Sequence, residues 1–249
     1  MAGHSKWANI KHRKAAQDAR RSKLFTKLLR EVQIAARLGG PDPESNPRLR
    51  AAIQNARSAS VPKENIERAI KKGSGNNAED YAEIKYEGTG PGGIAIIVEC
   101  ATDNTNRTVS NIRSYFNKYG GSLAKSGSLD YIFNHKGVFT IPIQHIQDPE
   151  SVQLELIEAG AEDIEIEDQW MTIFCHKKDF GNIQKYLEQA QITPQESGLQ
   201  YIPTITKKLS PEQFKKVFKL IDALENDDDV QKVYHNIELT DELEKIITA

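Results

Sequence analysis

Five cations, Arg20, Lys23, Lys27, Arg30 and Arg37, recur at steps of three, four, three and seven residues. In a helix, at about 100° per residue, they fall on one side, opposite Leu24, Leu28 and Val32. A helix so divided hides its apolar face and presents a cationic stripe. Lys and Arg a turn apart match a phosphate backbone, and neutralising that backbone releases counterions and dominates non-specific affinity. An ordinary solvated face mixes signs, but here only Asp18 and Glu31 oppose the cations. Upstream, Lys6, Lys11, Arg13 and Lys14 surround Trp7 in a segment without helical periodicity. An aromatic among cations can stack on a base, and a basic arm can enter a minor groove; equally, Trp7 can anchor the arm on the helices that follow.

The charge is segregated along the chain. Residues 1–72 hold 17 Lys/Arg and 6 Asp/Glu, whereas residues 73–249 hold 16 Lys/Arg and 29 Asp/Glu, a division that the net charge of −2 conceals. Such asymmetry points to a polyanionic partner for the basic part. No apolar run approaches the roughly 20 residues that span a bilayer, so no membrane partner is expected.

Other motifs resolve into structure. Gly88-Thr89-Gly90-Pro91-Gly92-Gly93 fits a dinucleotide-binding string, but a strand-like run, Ile94-Ala95-Ile96-Ile97-Val98, follows where the fingerprint needs a helix. It reads as a hairpin turn. Asp103 or Asn104 is placed to cap a helix, with Arg107 just inside it. Asp227-Asp228-Asp229 lacks the spacing of a calcium loop and reads as a solvated acidic turn. Glu162, Asp163, Glu165, Glu167 and Asp168 read as the outer face of a strand pair, an acidic surface suited to a basic partner. Cys100 and Cys175 stand apart in apolar runs and read as buried thiols. His4 and His12 have no Cys or carboxylate at ligand spacing. Catalytic motifs are missing, so no catalytic residue, metal or cofactor is expected.

These residues need positioning elements. Leu24, Phe25, Leu28, Leu29, Val32, Ala35 and Ala36 predict a helix over 15–38, closed by Gly39-Gly40-Pro41. Asn46 with Pro47 opens a second helix, and a third runs from Pro62 to a stop at Gly73. After a linker over 73–80, strands are predicted at 82–87 and 94–101, a helix at 104–119 and a strand region at 122–133. The order strand 137–143, helix 149–159, strand 163–167, strand 170–176, helix 180–190, strand 195–203 is the βαββαβ ferredoxin-like unit. A helix over 211–225 and a strand over 230–235 follow. The fold class expected is α+β: an N-terminal three-helix domain (1–80), then two ferredoxin-like α+β domains. One of these is discontinuous (81–132 with 205–249) and the other inserted in it (133–204).

Gly3-His4-Ser5-Lys6-Trp7, Phe25-Thr26-Lys27-Leu28, Asn46-Pro47-Arg48-Leu49-Arg50 and Pro62-Lys63-Glu64-Asn65-Ile66-Glu67-Arg68-Ala69-Ile70 resemble the YebC/PmpR family. So do Gly90-Pro91-Gly92-Gly93, Asn106-Arg107-Thr108 and Val233-Tyr234-His235-Asn236. One departure is Ala124, where the family pattern has Gly; it touches local turn geometry only. The resemblance covers essentially the whole chain and implies a cytoplasmic bacterial protein of three domains. It implies a DNA-binding transcriptional regulator or, as for mitochondrial relatives and a ribosome-associated role proposed for bacterial ones, a translation factor on ribosomal RNA. The residues expected to grip nucleic acid are Lys6, Trp7, Lys11, Arg13, Lys14, Arg20, Lys23, Lys27, Arg30 and Arg37.

Overall fold

The computed structural model describes residues 18–75, 80–167 and 169–248, with side chains described over 21–75, 80–167 and 169–247. The chain is α+β. Three helices, α1 (Asp18–Gly39), α2 (Pro47–Ser58) and α3 (Lys63–Ser74), precede two four-stranded antiparallel sheets. No helix among the described residues is long and apolar enough to cross a membrane. Two compact units are present. One gathers residues up to Lys23 with Asp80–Asn134 and Tyr201–Ala249; the other gathers Leu24–Glu79 with His135–Gln200.

In the first unit, β1 (Ala82–Gly90) and β2 (Ile94–Thr102) form a hairpin. Its turn, Pro91–Gly93, holds Gly92 and Gly93 at φ 73° and 72°, the left-handed region that favours glycine. The glycine run is thus a turn between strands, as its sequence context requires. Helix α4 (Thr105–Lys118), β3 (Ser122–Leu123), α7 (Pro211–Glu225), β8 (Val230–His235) and α8 (Asp241–Thr248) complete the unit, with strand order β3-β1-β2-β8. Strand β2 reads as a continuous apolar run because both its faces are covered. Ile94, Ile96, Val98 and Cys100 meet Ile112 and Phe116 of α4 and Phe214, Val217 and Leu220 of α7. Ala95 and Ile97 meet Leu129, Phe133 and Tyr234 on the other side.

Two expectations change here. The strand region over 122–133 shrinks to Ser122–Leu123, paired with Thr89 and Gly88 of β1. Beyond it the buried Glu87 carboxylate accepts the amides of Gly127 at 2.9 Å and Leu129 at 2.8 Å, offering the backbone a partner other than a ladder. The C-terminal helix α8 had no counterpart in the sequence reading, yet its Leu243 and Ile247 join the first core.

In the second unit, β4 (Phe133–Pro142), α5 (Pro149–Glu158), β5 (Ala161–Glu167), β6 (Trp170–Cys175), α6 (Phe180–Gln189) and β7 (Glu196–Pro203) give the sheet order β5-β6-β4-β7. That is the ferredoxin-like arrangement of a βαββαβ unit. Phe139, Ile141, Met171 and Ile173 pack against Leu156 of α5 and Phe180, Ile183 and Leu187 of α6. Phe139 stacks on Phe180 with ring centroids 4.6 Å apart. Helix α2 leans on this layer: Ala51 joins its core, and Arg50 Nε donates to Gln184 Oε1 at 3.0 Å. Asn55 Nδ2 donates to the Ser197 carbonyl at 2.7 Å, and the Ser197 amide donates back to Asn55 Oδ1 at 2.9 Å.

The three helices share a core of Val32, Ala35, Ala36, Leu49, Ala52, Ile53, Ile66 and Ala69. Pro62 caps α3 rather than opening its first turn, and Gly73 lies inside the helix instead of ending it. The reason for glycine there is the neighbour: a Cβ on Gly73 would sit 2.3 Å from the Gln33 carbonyl oxygen of α1. In an unobstructed helix, Gly→Ala stabilises by about 1 kcal/mol. Here the clash is with backbone, which cannot step aside, so Gly73→Ala is expected to destabilise by about 1–3 kcal/mol. Urea unfolding checks the sign: a lower midpoint at unchanged slope is expected, and a raised midpoint would mean that α3 does not approach α1 so closely.

Candidate nucleic-acid interface

Helix α1 divides as its spacing demands. Phe25, Leu28, Leu29, Val32, Ala35 and Ala36 pack into the three-helix core. Lys27 and Arg30 are half-buried and Arg37 is exposed on the other side. Glu31, the acid within this stretch, is taken by Arg48 of α2, whose Nε and Nη2 donate to its two carboxylate oxygens at 2.7 and 3.1 Å. A bidentate pair of this kind engages the Glu31 carboxylate with α2. Lys23 is differently placed: its ammonium donates to the Asn226 carbonyl at 2.7 Å and lies 3.9 Å from Asp228. Lys6, Trp7, Lys11, Arg13, Lys14 and the side chain of Arg20 lie outside the described residues.

The structure adds cations that the sequence reading passed over. Because Gly73 meets the backbone of Gln33, the last turn of α3, with the exposed Lys71 and Lys72, comes against α1 between Arg30 and Arg37. Arg68, one turn earlier, is exposed as well. In sequence this helix carries Lys63, Arg68, Lys71 and Lys72 against Glu64 and Glu67, and Lys63 pairs with Glu67 at 3.6 Å. Three of its four cations, Arg68, Lys71 and Lys72, lie toward the end that α1 meets. The buried Gly73 was the available signal, and it was read as a helix stop.

Other charged clusters are committed to the fold. Asn104 caps α4, accepting the Arg107 amide at 3.0 Å. The Arg107 guanidinium is held by Asp229, with Nη2 at 2.8 Å from Oδ1 and Nε at 3.1 Å from Oδ2, and by Asp103 at 2.8 Å. Thr108 Oγ1 also donates to Asp229 at 2.8 Å. Asp227 accepts from Asn111 Nδ2 at 3.1 Å and Tyr115 Oη at 3.0 Å. The acidic turn is therefore not solvated as expected: Asp227 and Asp229 are buried, and Asp228 is the exposed member. Burial is tolerable because each carboxylate gains several donors.

A second polar knot joins Glu87, Lys85 and Asp130. Lys85 Nζ lies 2.8 Å from both carboxylates, and it also faces the Tyr201 ring at 5.4 Å. Burial alone would raise the Glu87 carboxyl, but hydrogen bonds from Lys85, Gly127 and Leu129 outweigh it and hold the group below its ordinary range. Burial likewise opposes the charge on Lys85, and the bonds to Asp130 and Glu87 reverse that, raising it. Cys100 and Cys175 are buried free thiols, and burial pushes Cys175 up to about 12. Among the described residues no group of three or more His, Cys, Asp or Glu could hold a metal ion. A shallow depression is lined by His135, His176, Lys177 and Lys178. Glu162 lies beside it, 2.8 Å from His176 and 3.3 Å from the neighbouring Lys136.

With this geometry in hand, the chain can be set beside known proteins. Residues 5–76 match the TACO1/YebC protein N-terminal domain, and residues 81–237 match the TACO1/YebC second and third domain. A probable transcriptional regulatory protein of Amoebophilus asiaticus is 54% identical over 239 residues, covering 95% of this chain and 98% of that one. One from Thermotoga petrophila is 49% identical over 250 residues, covering 100% and 98%. Among solved structures, a conserved hypothetical protein from Aquifex aeolicus superimposes with a TM-score of 0.80 at 42% identity, over 90% of this chain and 93% of that one.

The Glu87 knot yields a test of stability against pH. Its folded-state carboxyl titrates below the unfolded value near 4.5. The stability it contributes is therefore present above that value and lost as pH falls through the folded one. Glu87→Gln is expected to cost roughly 3 kcal/mol at neutral pH, because Lys85 loses a buried counter-charge. The variant's stability should also fall less steeply than wild type on acidification from neutral to about pH 3. Urea unfolding across that range reads both, and parallel acid limbs would remove Glu87 from the account.

Proposed function

We propose, from the premise that the chain belongs to the TACO1/YebC family, that it is a nucleic-acid-binding regulator of gene expression, acting as a DNA-binding transcriptional regulator. The observation that carries this reading is the division of α1 into a packed apolar face and a cationic face on which Glu31 is already matched by Arg48. Lys27, Arg30 and Arg37 supply the phosphate contacts, and Lys71 and Lys72 widen the footprint from α3. Lys23 contributes on giving up its bond to Asn226. The basic arm, Lys6 to Lys14 with Trp7, adds charge and one aromatic. The names of the relatives, probable transcriptional regulatory proteins, support the regulatory role. Contacts of this kind position a duplex without reading its sequence.

One observation favours a second reading, a translation factor that docks on ribosomal RNA. Residues 73–249 carry 29 acids against 16 Lys/Arg, an excess that suits contact with basic proteins on a ribosome better than with a bare operator.

Both readings share the stripe. Lys27→Gln, Arg30→Gln and Arg37→Gln together are expected to weaken binding to any nucleic acid at least tenfold. They should flatten the slope of log affinity against log salt by up to about 3. Fluorescence anisotropy over a salt series measures this, with far-UV circular dichroism to show that the helix persists; an unchanged slope would exclude the stripe. Promoter-sized duplexes and ribosomes compared at physiological salt then separate the readings. Duplex binding that is blind to sequence and vanishes there, beside persistent co-sedimentation with ribosomes, would sink the transcriptional one.

A further inference from the structure

Helix α5 is apolar on two opposite faces. Val152 and Leu156 turn inward onto the second-unit core, where Leu156 is fully buried. Leu154 and Ile157, three residues apart and so on one face, point the other way and are 67% and 58% exposed. Among the described residues no other helix carries two exposed large hydrophobic side chains. Helix α6, beside the same core, buries Phe180, Ile183 and Leu187 and exposes none of that size. A helix with an apolar stripe on each side is stable in water when both are covered, and here the fold covers one.

On the helix itself the charges that flank the bare face have a single sign. Glu150 precedes Leu154 by one turn and Glu158 follows it by one turn, so both flank the apolar pair. Residues 148–167 contain eight Asp or Glu and no Lys or Arg. Some of these acids are used locally: Glu155 accepts from Ser151 at 3.4 Å, and Glu162 pairs with Lys136 and His176. Glu150 and Glu158 belong to the outer rim. Strand β5, next in the chain, is an edge strand whose Ile164 and Ile166 pair with the core residues Ile173 and Met171, so its Glu165 and Glu167 lie on the sheet face away from α5 and form no part of this rim.

We propose that the outer face of α5 is a docking surface for a cationic amphipathic helix of another protein, with Leu154 and Ile157 as anchors and Glu150 and Glu158 as the charged rim. Anchors one turn apart are what a helix offers to a helix laid across it. The rim selects among occupants. A second copy of this chain, docked α5 on α5 about a two-fold axis, would bring Glu150 and Glu158 against their own kind, which costs affinity. An anionic lipid surface is repelled for the same reason. A partner helix with aliphatic side chains at three- and four-residue spacing, flanked by Lys or Arg, satisfies both the apolar pair and the rim.

The test uses the full chain and a fluorescent peptide of leucine and lysine with leucines at helical spacing. Controls are one peptide with serine in place of each leucine and one with glutamate in place of each lysine. The leucine–lysine peptide is expected to bind, and both controls to bind at least tenfold more weakly. Leu154→Ser with Ile157→Ser should lose binding at least tenfold while leaving the nucleic-acid salt slope unchanged. Glu150→Gln with Glu158→Gln should weaken binding and reduce its own salt dependence; being a surface charge change, it carries the test if the serine variant fails to fold. Wild-type affinity in the serine variant, or equal binding of the serine peptide, overturns the proposal. So does sedimentation showing a wild-type dimer that these serines dissociate, since the face would then belong to a second copy.

Discussion

Asn46 accepts the Leu49 amide at 3.0 Å as the cap of α2 and donates from its own amide to the carbonyls of Ala35 at 2.8 Å and Gly40 at 2.9 Å, at the end of α1. One buried side chain thus satisfies the start of one helix and the end of another, positions where unpaired backbone groups would otherwise face the core. It also fixes the turn between them, because a Cβ on Gly39 would come within 2.5 Å of Asn46 Nδ2. The consequence reaches the surface. With the exit of α1 pinned and α3 seated on Gln33 through Gly73, the rotation of α1 about its axis is set. That rotation decides which residues are core and which are stripe. The cationic face is a by-product of how the apolar face is held.

Buried charge in the first unit follows the same logic. Glu87 and Asp229 are acids in places where an unpaired carboxylate would be costly, and each is surrounded by donors that only the folded chain assembles. Glu87 draws in the amides of a turn some forty residues away, and Asp229 draws in a guanidinium and a hydroxyl from α4. Both define the course of an irregular segment that apolar contact alone would leave loosely specified. Their buried donors and acceptors are engaged with one another within the fold, and the functional reading rests instead on the stripe of α1.

Periodic elements were legible from sequence. Helix α7 and strand β8 have the bounds that their apolar spacing predicts, and the Asn46 and Asn104 caps fall where residue type put them. The misreadings share a cause. Segment 122–133, the acidic turn 227–229 and the glycine at 73 each depend on a partner distant in sequence: Glu87, Arg107 and Gln33 respectively. Local pattern reports propensity and burial periodicity, but it carries no information about which carboxylate will meet which amide. The α8 helix was missed because eight residues give little more than two turns of pattern. Of the candidate site, the α1 stripe was legible because it is local. Lys71 and Lys72 were not, because what brings them to α1 is a contact between helices.

The separation of charge also bears on how such a protein would find a polyanion. At physiological ionic strength fields are screened over about 8 Å, so the net charge of −2 says little about what a phosphate meets at the surface. A cation a few ångströms from the phosphate counts in full; an acid several Debye lengths away hardly counts. Capture would then depend on close-range contact with α1 and α3 rather than on long-range steering, which demands a strongly positive molecule. Association should be slower than for a uniformly basic protein. On the proposed reading, selectivity would come from a second contact of opposite character, made where phosphate alone would not hold it.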